Sequence, residues 1–215
     1  MRGILLLTAL LAVQVSAKES KSETKLLEQV RRSPAALENL VTIKGDSLDP
    51  SYTVTTRGVS VVVSKGWLAS TTYENSFLRG FISKKTGEIT VQVYHSATYG
   101  GSGWNFFNRA SYEGPNGLEE AKADKVGSDV SCSSYGCTHY EDVVFDIPWS
   151  TIEAFAAKYD PANPVTGLKY RLFGQSGVNI DEAIPINEIV AFANVMKKLR
   201  QHAPQAIVLP PAQQP

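Results

Sequence analysis

The sequence predicts an α+β fold, an antiparallel sheet built from hairpins with N-terminal and C-terminal helices packed on one face. Three observations carry this. Phe77 to Ser83 and Glu88 to His95 flank the glycine-ended turn Lys84-Lys-Thr-Gly87, and Lys125 to Ser131 and Thr138 to Ile147 flank the turn Ser133 to Gly136. The helical patterns gather toward the ends of the chain and do not alternate with each strand, which sets aside a parallel nucleotide-binding sheet.

The elements follow in order. Ser20-x-x-Glu23 is a capping box ahead of Leu26, Leu27 and Val30 at helical spacing. Ser33-Pro34 is an N-cap followed by proline at the first helical position, predicting a short helix to about Val41 with Leu37, Leu40 and Val41 inward. Asp46 to Pro50 reads as a loop. Tyr52 to Thr56 and Val59 to Ser64 are rich in β-branched residues and form a strand pair, or one strand bulged at Gly58. In Glu88 to His95, Ile89, Val91 and Val93 share one face and Thr90, Gln92 and Tyr94 the other, the alternation of a strand with one wetter side. Tyr99 to Gly103 reads as a glycine-rich loop and Trp104 to Tyr112 as a further strand.

Past the second hairpin, Ser150-Thr-Ile-Glu153 is a capping box opening an amphipathic helix with Ile152, Phe155, Ala156 and Tyr159 inward, ending before Asp160-Pro161. Leu168 to Gly174 alternates as a strand, and Gly174 to Gly177 turns out of it. Ile186 to His202 is the last helix, with Ile186, Ile189, Val190, Ala193, Met196 and Leu199 on one stripe and basic residues at its end.

Residues 1–17 have the three parts of a cleavable secretory signal: Arg2, an apolar run from Gly3 to Val13, and small residues at Val15, Ser16 and Ala17, placing cleavage near Ala17/Lys18. The run is too short for a membrane helix, which takes roughly 20 apolar residues, so no stable membrane insertion is expected after cleavage. Residues 18–203 then form a single α+β domain, and 204–215, with four prolines, a disordered tail. The chain carries 21 basic and 21 acidic residues without long runs of one sign, which disfavours nucleic acid as a partner. Export and the lack of an Asn-x-Ser/Thr acceptor point to a periplasmic or secreted protein.

In that compartment Cys132 and Cys137 are expected to close as a disulfide at a hairpin tip. A redox-active pair would sit two residues apart at a helix N-terminus. No metal site is expected, because two cysteines and His95, His139 and His202 supply no second ligand pair at metal spacing. Gly100-Gly-Ser-Gly103 lacks the following helix that gives a phosphate loop its mechanism, and no cofactor is expected.

Six aromatics fall between Tyr94 and Tyr112, against 9% in the chain overall. Core packing accounts for some of them. As a recognition surface for a small molecule, glycan or protein, the candidates are Tyr94, Tyr99, Trp104 and Phe107, with Arg109 or Arg79 engaging an anionic group. For catalysis the nearest constellation is His139 with Glu141 and Asp142, beside Ser131, Ser133 and Ser134. On one strand His139 and Glu141 share a face and Asp142 lies opposite, so these read as solvated hairpin residues, and no catalytic residue is assigned. Gly-x-Ser-x-Gly and His-Glu-x-x-His are both absent from the sequence.

Phe77-Leu-Arg, Lys85-Thr-Gly87, Tyr94, Tyr99 and the close cysteine pair resemble a family of exported bacterial proteins with no assigned function. The resemblance spans the middle half of the chain and implies export and fold, with no site residues. The expected function is therefore an exported, non-enzymatic binding or accessory protein. The alternative is a small secreted hydrolase using the His139/Glu141 region.

Overall fold

The computed structural model describes residues 33–57, 63–64, 73–101, 103–162 and 167–202. The expected signal peptide, Leu26 to Val30 helix, Gly58 bulge and proline-rich tail fall outside the described residues.

Ser33 caps helix α1 (Pro34–Glu38), its hydroxyl accepting from the Ala36 N–H at 3.3 Å with proline in the first turn. The helix ends three residues before the expected Val41; Leu37 is buried and Leu40 is exposed. Strands β1 (Thr42–Lys44) and β2 (Ser51–Thr55) follow, then β3 (Val63–Ser64). Strands β4 (Tyr73–Ser83) and β5 (Ile89–Gly100) form the first expected hairpin. Strand β5 runs on to Gly100, so Tyr99 belongs to the sheet and not to a glycine-rich loop. The reason is that Tyr99 pairs with His139 on the neighbouring strand and turns its ring inward.

Strands β6 (Phe107–Gly114), β7 (Gly117–Ser133) and β8 (Gly136–Ile147) form a meander. The expected strand from Lys125 is the far half of β7, and the β6–β7 hairpin around Gly114-Pro-Asn-Gly117 was not anticipated. Helix α2 (Trp149–Ala157) has Pro148 at its N-cap and no side-chain cap, which corrects the Ser150 capping box. With the helix starting at Trp149, Thr151 sits in its first turn and is buried with Ile152 and Phe155. Strands β9 (Gly167–Gly174) and β10 (Asn179–Pro185) pair as a hairpin, β10 being unanticipated, and lead into helix α3 (Ile186–His202), whose bounds match the expectation.

All strand pairs are antiparallel, in the order β1-β2-β4-β5-β8-β7-β6-β9-β10, with β3 also on β4. The sheet curls into a half-barrel whose β10 comes back into contact with β4, and α3 packs against β2, β4, β9 and β10 as well as α1 and α2. This is the expected α+β fold. The core face carries Val91, Val93, Val143, Phe145, Leu168 and Leu172, met by Ile189, Phe192 and Met196 of α3. Each such side chain contributes about 1.5–3 kcal/mol by leaving water. The α3 stripe is wider than expected: Ala191 and Phe192 are also buried, Ala191 beside Leu37 of α1. Helix and sheet approach closely at Gly80, where an added Cβ would lie 2.6 Å from Phe192 Cζ and 2.7 Å from Met196 Cε.

Among the described residues no helix is long and apolar enough to cross a membrane. Cys132 and Cys137 form a disulfide, which points to an oxidising compartment.

Candidate functional site

The sheet places Tyr99 opposite His139 and Ala97 opposite Glu141, all on the core face. His139 is 4% exposed and Glu141 0% exposed, so the expectation of solvated hairpin residues is overturned. Strand parity does put them on one face, but that face is covered by the segment Trp104 to Phe106.

Glu141 holds the segment down. Its Oε1 accepts from the Tyr99 hydroxyl, from the Asn105 N–H at 3.0 Å and from the Phe106 N–H at 3.1 Å. Two successive backbone N–H groups converge on one carboxylate oxygen, and Phe106 adopts φ +52°, the one positive φ outside glycine among the described residues. A left-handed residue following its neighbour makes such a concave nest for an anion, and for a bulky side chain the conformation costs on the order of 1–3 kcal/mol. Here the carboxylate offsets that cost. Phe106 therefore stands outside β6, which is why the expected strand from Trp104 begins only at Phe107. From the other side the β9–β10 turn pins the segment: Ser176 Oγ donates to Asn105 Oδ1 at 2.7 Å, and the Gln175 N–H donates to the Phe106 carbonyl at 3.3 Å. Burial, and then the Glu141 carboxylate, push the Tyr99 hydroxyl above its ordinary pKa.

The rings assemble around this anchor. The imidazole of His139 stacks on Tyr99 at 5.5 Å and meets Trp104 edge-on at 4.8 Å. Trp104 lies 6.3 Å from Phe106, and the Lys125 ammonium is 5.8 Å from both ring centroids. Trp104 is half-buried and Phe106 is 44% exposed, so two aromatics and a cation reach the surface above a buried carboxylate. Glu141 Oε2, His139 Nδ1 and Thr151 Oγ1 are buried without hydrogen-bond partners among the described residues.

Of the five candidate recognition residues, the structure brings together Tyr99, Trp104 and Phe107, and of these only Trp104 reaches the surface. Phe107 is a core residue lying edge-on to Tyr99 at 6.4 Å. Tyr94 and Arg109 lie elsewhere, because their strand positions point away from the core. Tyr94 stacks on Phe77 at 4.5 Å with the Arg79 guanidinium over it at 5.2 Å. Arg79 is engaged by the amide oxygen of Gln92, at 3.2 Å through Nε and 2.9 Å through its second terminal nitrogen, and not by an acid. Arg109 covers Phe173 at 3.9 Å and pairs with Glu120 at 2.9 Å. The sequence reading missed Asn105 and Lys125 as parts of the site and gave Phe106 no special conformation; an aromatic immediately before a strand gives no sign of a positive φ.

His139, Glu141 and Asp142 assemble no catalytic triad with Ser131, Ser133 or Ser134. Asp142 points to the opposite face and accepts from Ser96 Oγ at 2.6 Å. Ser131, Ser133 and Ser134 lie on the exposed arm, and the Ser133 hydroxyl serves the hairpin turn. A separate open groove of about 700 Å³ lies over β6, β9 and β10, where Arg171 pairs with Asp181 through two nitrogens at 2.5 and 2.7 Å.

Compared with protein-family models, with curated proteins and with solved structures, the chain matches none.

Proposed function

We propose that this chain is an exported, periplasmic or secreted, non-enzymatic binding protein, and that it recognises a ring-bearing anionic ligand on the ledge formed by Trp104, Phe106 and Lys125. The observation that carries this reading is the use of Glu141. Its carboxylate serves as the floor that bends the Trp104 to Phe106 backbone and displays two rings beside one ammonium. Aromatic faces stack on flat or sugar-like ligands and a partly exposed lysine adds a point charge for an anion.

The test is a titration of the full chain, disulfide intact, with acidic and neutral oligosaccharides and with peptides, followed by thermal shift and tryptophan fluorescence. Acidic ring-bearing ligands should stabilise the protein, and Trp104→Ala and Lys125→Ala should each lose that stabilisation while keeping the far-ultraviolet spectrum. Equal responses from the variants would overturn the reading.

The second reading, a small secreted hydrolase, draws on the buried unpartnered His139 Nδ1 and Glu141 Oε2. It requires turnover on an esterase, peptidase or glycosidase panel that His139→Ala abolishes.

A further inference from the structure

The β7–β8 hairpin extends as an arm past the end of β6. Strand β6 pairs with β7 only from Gly114↔Gly117 to Arg109↔Lys122. From Ala123 onward β7 is bonded on one side alone among the described residues, to β8.

The direction of its free backbone groups follows from the register. The carbonyl of Cys137 accepts from the Gly101 N–H at 3.2 Å, on the β5 side, so Cys137 turns its polar groups away from β7. Cys132, Val130 and Ser128 stand opposite Cys137, His139 and Glu141. In an antiparallel pair, bonded and non-bonded positions alternate, so these three β7 residues aim their N–H and C=O groups outward. The Val130 N–H agrees with this: it donates to the neighbouring Asp129 side chain at 2.8 Å. The same arm concentrates exposed apolar side chains, with Val130 at 43%, Val126 at 51% and Tyr135 at 99% exposure. Two structural stops bound the free edge, the bulge between Lys125 and Gly127 at its base and the turn after Ser133 at its tip.

We infer that the arm pairs with the same arm of a second copy of this chain, antiparallel, about a two-fold axis at Val130. A two-fold interface must be complementary to itself, and this register is. Val130 meets Val130, and the outward groups of Ser128 face those of Cys132 on the other copy. The one charged residue between 128 and 132, Asp129, stands opposite Ser131. A register centred one residue earlier would set Asp129 against Asp129 and is excluded by like charge. The chosen register also carries each apical Tyr135 toward the base of the other arm, where Lys125 and Val126 lie. The bulge and the turn confine the pairing to the arms, giving a closed dimer and not a growing sheet. Asp129 must release the Val130 N–H for pairing, so it competes with the dimer.

Sedimentation equilibrium of the full oxidised chain over a concentration series tests this. A reversible monomer–dimer equilibrium is expected. Val130→Pro removes an outward N–H and leaves the β8 ladder intact, as proline is tolerated on an edge with its nitrogen toward solvent. It should weaken association by at least about tenfold, a loss of paired backbone bonds at the centre of the interface. Asp129→Ala, which removes the competing acceptor, should strengthen association. A monomer at every concentration, or a dimer indifferent to Val130→Pro, would overturn the inference. Should that variant not fold, amide exchange of the unaltered chain decides: protection of Ser128, Val130 and Cys132 that rises with concentration supports the dimer. Protection of the same amides in the monomer would mean that the edge is covered from within one chain, and would equally overturn it.

Discussion

The Thr56 hydroxyl donates to Glu188 Oε1 at 2.5 Å, joining residues 132 positions apart and tying the residue just after β2 to the first turn of α3. Thr56 in turn accepts from the Leu78 N–H at 2.8 Å, so strand, strand and helix meet at one hydroxyl. Burial is the main influence on the Glu188 carboxyl and pushes its pKa from the ordinary 4.5 up to about 8, against the lowering effect of its hydrogen bonds.

A stability profile follows with a definite sign. Between pH 4.5 and about 8 the folded chain keeps the Glu188 proton while the unfolded chain releases it. Stability therefore falls as pH rises through that window, by up to about 1.4 kcal/mol per pH unit from this group. Urea denaturation at intervals from pH 4.5 to 8.5 should show the decline. Glu188→Gln, neutral at every pH and still able to accept from Thr56, should flatten it.

Gly80 sets the distance between α3 and the sheet. In Gly80→Ala the new methyl would overlap Phe192 and Met196, lifting the helix at a cost of roughly 1–3 kcal/mol. Because the Met196 side chain is the softer neighbour, Met196→Ala should recover part of that loss in the double variant, giving a non-additive cycle in urea. Simple addition of the two single effects would contradict the close approach.

The disulfide closes a loop with a sequence separation of only 5, so its contribution is modest. Replacing both cysteines by serine should cost about 2 kcal/mol at most, by the loop-entropy model. Hydrogen exchange should quicken in the arm around residues 128–140 and stay slow in β5, β9 and α3.

Glu141→Ala should be strongly destabilising. It leaves the Tyr99 hydroxyl and the Phe106 N–H without their acceptor, at about 1–3 kcal/mol for each group left unsatisfied, while the Asn105 N–H keeps the Tyr99 oxygen at 2.8 Å. Phe106→Gly separates backbone from ring: it accepts the positive φ without a side-chain penalty, so stability should change by less than about 1 kcal/mol. Ligand binding at the ledge should be lost. Thermal melts paired with fluorescence titration distinguish the two effects.

The parts of the fold legible in the sequence are those where side-chain pattern and backbone demand agree. The β4–β5 hairpin was legible because Val91 and Val93 alternate with Gln92 and Tyr94, and α3 because its apolar spacing is unbroken over its length. Strand β10 was not, since Glu182 occupies an interior-side position between Ile180 and Ile184 and interrupts the alternation. The near half of β7 puts only the small Ala121 and Ala123 on the core side among charged neighbours, and its strand character comes from main-chain pairing to β6 and β8, which no side-chain pattern records. At the site, strand parity put His139 and Glu141 on a common face. What covers that face, the Trp104 to Phe106 segment, depends on a contact spanning 36 residues, from Asn105 to Glu141, that local pattern cannot supply.

Helix α3 has a consequence for timing. Ile189, Phe192 and Met196 are the groups that the hollow of the half-barrel closes upon, and they belong to the last described element. A chain delivered N-terminus first must hold its strands with an unfilled hollow until residues 186–202 arrive. Completion of the native structure is thus deferred until that helix is available, and until then the exposed faces of β2, β4 and β9 are open to a holding partner.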